Sequence, residues 1–246
     1  MADLALSKTL IEEYIKYKFN QSHNSNKIRK LFKYIQSFSI RTTHSDFFSD
    51  PATAGQFCDP LVEIIEDCTD NDLVQKSRLK LMLIDKPLTA SFATVNIDSI
   101  RPEELKLKYS GTYPNSSNKD KALEHIKALL SDANWITITD RYINSNNEWN
   151  TNKILINNLI PHKTLNLTIS SGNQFRTDIE PKLDATEIQK LKNICTNWHV
   201  LANYLNTNQI HDRYIETNKV KILLSSGLYH LSVNSNKDFT YVIELK

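Results

Sequence analysis

At 246 residues, with 40% hydrophobic and 24% charged side chains, the chain has globular composition and enough apolar material for one large domain or two smaller ones. Thirty basic against 28 acidic side chains leave a formal charge of +2, which excludes a polybasic protein but leaves room for a local basic site. The four glycines are too scattered to build a Gly-rich phosphate loop, so P-loop nucleotide hydrolysis is excluded as well.

From Leu4 to about Asn20 the apolar residues Leu6, Leu10 and Tyr14, with Ile11 and Ile15, recur at helical spacing. Lys27 to Gln36 repeats the pattern, with Ile28, Leu31, Phe32 and Ile35 on one side and Lys27, Arg29, Lys30 and Lys33 mostly on the other. That basic side reads as a solvated face. Residues 41–59 carry Pro, Gly, Ser and Asp and read as a loop. Asp59 and Pro60 then suit the cap and first position of a helix running through Ile64, Ile65 and Cys68, and another helix is expected over Asp72–Ile84. Residues 1–90 are therefore expected to form a helical unit.

After Pro87 the character changes. Ser91–Ile97 and Leu105–Tyr109 read as β-structure, and Gly111–Asp120 as a polar turn or loop, so residues 91–120 form a connection. From Lys121 the elements alternate as in α/β proteins: a helix through Ala122, Ile126 and Leu130, a strand Trp135–Ile143, a helix Thr151–Ile160 and a strand from Leu165. A long helix is expected from an Asp184/Glu187 capping box through Leu191, Trp198 and Leu205. Gln209–Ile215, Val220–Leu224 and Phe239–Leu245 read as closing strands. The expected class is α/β, an N-terminal helical unit followed over residues 121–246 by an α/β domain with a mixed sheet.

The chemistry concentrates in IHDRYIETNKVKILLSSGLYHL, residues 210–231. An imidazole (His211) and a permanent cation (Arg213), two apart on a strand, share one face, an arrangement suited to phosphate; Asp212 takes the other face. Ser225 and Ser226 follow on the next strand. Asp140 and Tyr142, at the end of the Trp135 strand, lie where sites gather in α/β sheets, although a polar strand-ending turn explains them somewhat better. His162 and His199 read as loop and packing residues, Lys221 and His230 as lesser candidates. No His, Cys, Asp or Glu set has metal-ligand spacing, so neither metal nor cofactor is expected. The three cysteines (Cys58, Cys68, Cys195) suit free thiols, and no charged leader or apolar run of ~18 residues appears; the expected location is cytoplasmic, without integral membrane association.

This segment resembles one half of the phospholipase D superfamily, whose signature is H-x-K, an acid after four further residues, and a strand ending in G-S-x-N. His211 stands at the histidine, Arg213 at the lysine, Asn218 at the acid and Ser225-Ser226 at the Gly-Ser, with the histidine-to-serine spacing kept. The H-D-R-Y form is similar to the phospholipase-D-like domain that follows microtubule-interacting-and-trafficking modules and to small bacterial defence-associated relatives. The resemblance implies His211 as nucleophile at phosphorus, Arg213 and Ser226 as catalytic partners, and Asp140, Tyr142, Asn218 and Ser225 in substrate binding. With one signature per chain, it also implies a homodimer pairing two copies of His211. The expected activity is a metal-independent phosphodiesterase or nuclease acting on nucleic acid in a bacterial defence or mobile-element setting. A catalytically inactive phosphate-binding or protein-interaction module, its N-terminal helices recruiting a partner protein, or a structural subunit of a larger complex, is the alternative.

Overall fold

The computed structural model describes residues 2–35, 40–43, 62–65, 68–98, 108–115, 118–145, 148–172, 183–205, 212–233 and 235–246. The chain divides into two compact units, Met1–Tyr109 and Ser110–Lys246. It is α/β, with both strands and helices in each unit.

The N-terminal unit is organised around two short, fully buried runs, β1 (Leu4–Leu6) and β4 (Leu81–Ile84). Contiguous apolar residues buried on both faces are what a central parallel strand requires. With β2 (Ile40–Thr43), β3 (Val62–Ile65) and β5 (Ala93–Asn96) they form a five-stranded parallel sheet in the order β3-β2-β1-β4-β5. This is a doubly wound order, and it reverses between β1 and β4. The helices are α1 (Lys8–Lys18), α2 (Ser25–Ile35) and α3 (Asp70–Lys76), the last started by a Thr69/Asp72 capping box. Ala5, Met82 and Ile84 pack with Leu73 and Val74 of α3, and each such fully buried Leu or Ile contributes about 1.5–3 kcal/mol.

The helical unit expected over residues 1–90 is thereby corrected. Leu4–Leu6 precedes the first helix as a strand, Val62–Ile65 is β3, and the helix expected to reach Ile84 ends at Lys76. Lys80, at φ 52°, sits in the left-handed region before β4, which no continuing helix allows. Residues 59–61 and most of the loop expected at 41–59, with Cys58, lie outside the described residues.

The second sheet has seven strands in the order β6-β12-β11-β10-β7-β8-β9. These are β6 (Lys108–Tyr113), β7 (Trp135–Thr139), β8 (Leu165–Gly172), β9 (Trp198–Leu205), β10 (Arg213–Thr217), β11 (Val220–Leu224) and β12 (Phe239–Leu245). β7, β8 and β9 run parallel, whereas β10 is antiparallel to β7 and β11, and β11 to β12: the sheet is mixed. The pairing register puts Ile136, Ile138, Leu167, Ile169, Ile215, Ile222, Tyr241 and Ile243 on one face, where all are buried. The same unit supplies buried residues from α4 (Asp120–Leu130) and α5 (Trp149–Leu159), and His125 of α4 lies 2.7 Å from the Tyr241 hydroxyl. A Cβ on Gly111 would come within 2.6 Å of the Tyr241 ring, so only glycine lets β6 cross it.

The long helix expected from Asp184 is two elements. α6 (Ala185–Ile194) ends before Cys195, and Trp198–Leu205 forms β9. There Trp198 and Val200 are buried while His199 and Leu201 are exposed, the two-residue period of a strand. The Trp135 strand likewise ends at Thr139, and residues 141–144 form a turn. Cys68 and Cys195 are free thiols. No helix among the described residues is long and apolar enough to cross a membrane.

Candidate functional site

The carboxyl ends of β7 and β11 and the amino ends of β10 and β12 meet at one end of the seven-stranded sheet. Asp140, the first residue after β7, continues the ladder by donating its N–H to the Ser170 carbonyl at 3.0 Å. Its side chain is almost wholly buried. Oδ1 accepts the Tyr142 N–H at 3.0 Å, turning the chain, and Oδ2 accepts the Leu228 N–H at 3.2 Å, tying β7 to the segment after β11.

Arg213 opens β10 directly beside Asp140, because Tyr214 pairs with Thr139 in an antiparallel register. Its Nε lies 3.4 Å from Asp140 Oδ1 and its Nη1 donates to the Ser225 carbonyl at 3.4 Å. The guanidinium carbon is 5.4 Å from the centre of the Tyr142 ring, within cation–π range. On the next strand Ser225 Oγ accepts the Thr240 N–H at 2.9 Å and lies 3.3 Å from Ser226 Oγ, which donates to the Asp238 carbonyl at 3.3 Å. The structure thus brings Asp140, Tyr142, Arg213, Ser225 and Ser226 together. Arg213, Ser225 and Thr240, with the exposed Asp212, line an open depression of about 270 Å³.

Asn218 does not join them. It lies in the β10–β11 turn, at the far end of the hairpin, since Arg213 pairs with Leu224 and Glu216 with Lys221. Five residues of strand separate it from Arg213 by about 16 Å. A substrate-binding role beside Arg213 is corrected on that ground. His211 lies outside the described residues. Lys221 pairs with Glu216, and its ammonium lies 4.3 Å from the centre of the Tyr214 ring, on the opposite face of β10 from Arg213.

Beside His230, a lesser candidate from the sequence, this end holds Gly227, Lys119, Lys237 and Glu148, which the sequence did not single out as site residues. Gly227 has φ 89°, and a Cβ there would meet Asp140 Oδ2 at 2.6 Å and Arg213 Cδ at 3.3 Å. Glycine is what allows the carboxylate to reach Leu228 N–H. Lys119 is buried, with its ammonium donating to the carbonyls of Ser235 (3.2 Å) and Lys237 (2.8 Å). His230 is buried against Ser235 Oγ at 2.7 Å, and burial, with the charges of Lys237, Arg213 and Lys119, pushes its pKa down to about 4. Burial raises the Asp140 carboxyl against the opposing pull of the Tyr142 and Leu228 N–H groups and Arg213. Burial also raises Glu148, opposed by a hydrogen bond with Ser145 and reinforced by the Asp140 charge. Arg213, Lys237 and Lys119 thus act together on His230, and the carboxyls of Asp140, Glu148 and Asp212 stand at the same end. The Ser-Ser-Gly run was a signal for Gly227; Lys119 and Lys237 had none.

A second cluster lies in the N-terminal unit, where the strand order reverses. Asp85, following β4, has a side chain 1% exposed; it accepts Thr9 Oγ1 at 2.5 Å and Lys27 Nζ at 2.5 Å. Ser7 Oγ lies 3.3 Å from Thr9 Oγ1. No group of three or more His, Cys, Asp or Glu side chains able to hold a metal occurs among the described residues.

No protein-family model matches this chain. No curated protein matches it either. Among solved structures, TrmBL2, an archaeal chromatin protein described as showing a novel mode of DNA binding, is 11% identical over 57% of this chain and 46% of its own, with a TM-score of 0.29. Polyphosphate kinase from Porphyromonas gingivalis is 10% identical over 60% of this chain and 25% of its own, with a TM-score of 0.37. The chain spans about half of the first protein and a quarter of the second, and likenesses this distant carry no functional conclusion.

Proposed function

We propose that the C-terminal unit is a phospholipase-D-like site that binds phosphodiesters, with nucleic acid the preferred class. The observation that carries this reading is the convergence of Arg213, Ser225, Ser226 and Tyr142 around the buried Asp140. Arg213 would hold the phosphate oxygens, and Asp140 and Tyr142 would keep its guanidinium oriented. Hydrolysis is the catalytic extension of the same reading. The His211 imidazole would attack phosphorus, and the ester oxygen would leave with a proton from His211 of a second copy. Water would then cleave the phosphohistidine, so that a homodimer is the active form.

The inactive alternative gains from one feature: the hydroxyls of Ser225 and Ser226 are engaged with the backbone of Thr240 and Asp238 rather than unoccupied. Two measurements separate the readings. Binding of oligonucleotides and of anionic vesicles should fall about 10–100-fold in Arg213→Ala, the value of one or two charge-assisted hydrogen bonds; unchanged binding overturns the site. Chelator-resistant cleavage that disappears in His211→Ala supports the enzyme, and Arg213-dependent binding without cleavage leaves the binding module.

A further inference from the structure

The four cations of α2 divide into two pairs. Lys27 bonds Asp85, and Lys30 is paired with Asp98. Arg29 and Lys33, one helical turn apart and so on a common face, make no ion pair among the described residues; Arg29 donates only to the Asn26 side chain. These two line a groove of about 490 Å³ between α1 and α2, within the size range of small-molecule sites. None of its lining residues is acidic.

The remaining walls are aromatic. Tyr17 meets Phe32 edge-to-face at 5.2 Å and His23 at 5.3 Å. Ile28, buried, forms part of the floor. Tyr17 is 38% exposed, high for a large ring already packed against two others, and leaves a face for stacking. His23 Nδ1 donates to the Gln21 carbonyl at 2.8 Å, which fixes its ring beside Tyr17 in the lining of the groove. The groove thus joins ring faces to two uncompensated cations. An aliphatic anion would not use the rings, and a neutral aromatic would not use the cations.

We infer that this groove binds a nucleobase together with its phosphate, the base stacking on Tyr17 and meeting Phe32 edge-to-face, and the phosphate held by Arg29 and Lys33. A free nucleotide and a nucleotide within a single strand present the same chemistry. The site lies wholly in the N-terminal unit and does not rest on the reading of the C-terminal one.

The test uses the full chain carrying Arg213→Ala, so that the C-terminal site contributes nothing. Anisotropy of a labelled 12-nucleotide single strand is measured, with nucleoside monophosphate as competitor. Tyr17→Ala should weaken binding roughly 5–100-fold, the value of one stacked base. Arg29→Gln with Lys33→Gln, both on the surface, should weaken it at least about ten-fold and flatten the salt dependence by about 0.7 logarithmic units per unit, for the one phosphate they hold. Strand and monophosphate binding equally assigns a free nucleotide; a strand at least about ten-fold tighter assigns single-stranded nucleic acid. Neither ligand binding up to millimolar concentration, or both binding equally to wild-type and variant grooves, overturns the inference. So does a groove that takes an acidic aromatic peptide or anionic vesicles, in a variant-sensitive way, but neither nucleotide ligand.

Discussion

Each unit buries an aspartate beside a cation at a strand end, and the two pairs behave in opposite ways. Asp85 meets Lys27 and Thr9 at 2.5 Å each, and although burial pushes its carboxyl up, those hydrogen bonds bring it below the ordinary range. Asp140 takes two backbone N–H groups and a guanidinium Nε no nearer than 3.4 Å, and burial wins, raising its carboxyl. Proximity of a cation is therefore not enough. A carboxylate closed by short contacts from its own neighbours is a finished structural joint, whereas one whose cation stands off leaves that cation available to an incoming anion.

The largest effect that would break this comparison is at Gly227. Gly227→Ala places a Cβ against Asp140 and forces a residue into the left-handed region, and should cost about 3 kcal/mol, read from amide exchange of the β7–β10 ladder. If the ladder is unaffected, the Asp140 arrangement is not a tight one. Next is Asp85→Asn, which strips Lys27 of its partner and should cost the N-terminal unit about 1–3 kcal/mol at neutral pH. Because the folded pKa of Asp85 is lowered, its contribution is present above the unfolded value of about 3.9 and is lost as pH falls through the folded one. The gap between wild type and variant should therefore close in acid.

Asp140→Asn should behave otherwise. A raised folded pKa means stability that is full below about 3.9 and is lost as pH rises through the folded value. The variant keeps an oxygen for the Leu228 N–H but turns an amide nitrogen toward the Tyr142 N–H, a cost of about 1–3 kcal/mol; its gap from wild type should narrow as pH rises from acid to neutral, and it should bind anions several-fold more tightly, as oligonucleotide titration would show. A gap that widens as pH rises, as for Asp85→Asn, would erase the contrast. The smallest effect is at His230. With its pKa lowered to about 4, its contribution is present above the unfolded value of about 6.5 and disappears as pH falls toward 4. Its ring resonances should show a neutral imidazole at pH 6; a protonated ring there would mean that neither burial nor the surrounding cations act on it as described.

The antiparallel strands were legible because Val220–Leu224 and Phe239–Leu245 alternate buried and half-buried residues, and the pattern survives in the sequence. β1 and β4 were not, because strands buried on both faces lose that alternation, and their leucines merge with the helical spacing of adjoining segments. β9 was hidden for a different reason: Leu201, 63% exposed, reads as a buried helix position when only its spacing from Trp198 is considered. At the site, Arg213, Ser225 and Ser226 could be grouped from local spacing. The Gly227–Asp140 approach could not, since it depends on which distant strands become neighbours. Asn218 was misplaced because linear spacing says nothing of the end of a hairpin to which a residue is carried.

The mixed topology also sets an order of assembly. β10, β11 and β12 form a local meander, while Asp140 arrives only when β7, far earlier in the chain, pairs with β10. Closing a long loop costs more entropy than closing a short one, so the strands carrying Arg213 and Ser225 come together before the carboxylate is delivered. Substitutions within the meander should then slow folding, and those at Asp140 should chiefly speed unfolding. In refolding of the whole chain, the cation waits for its acid.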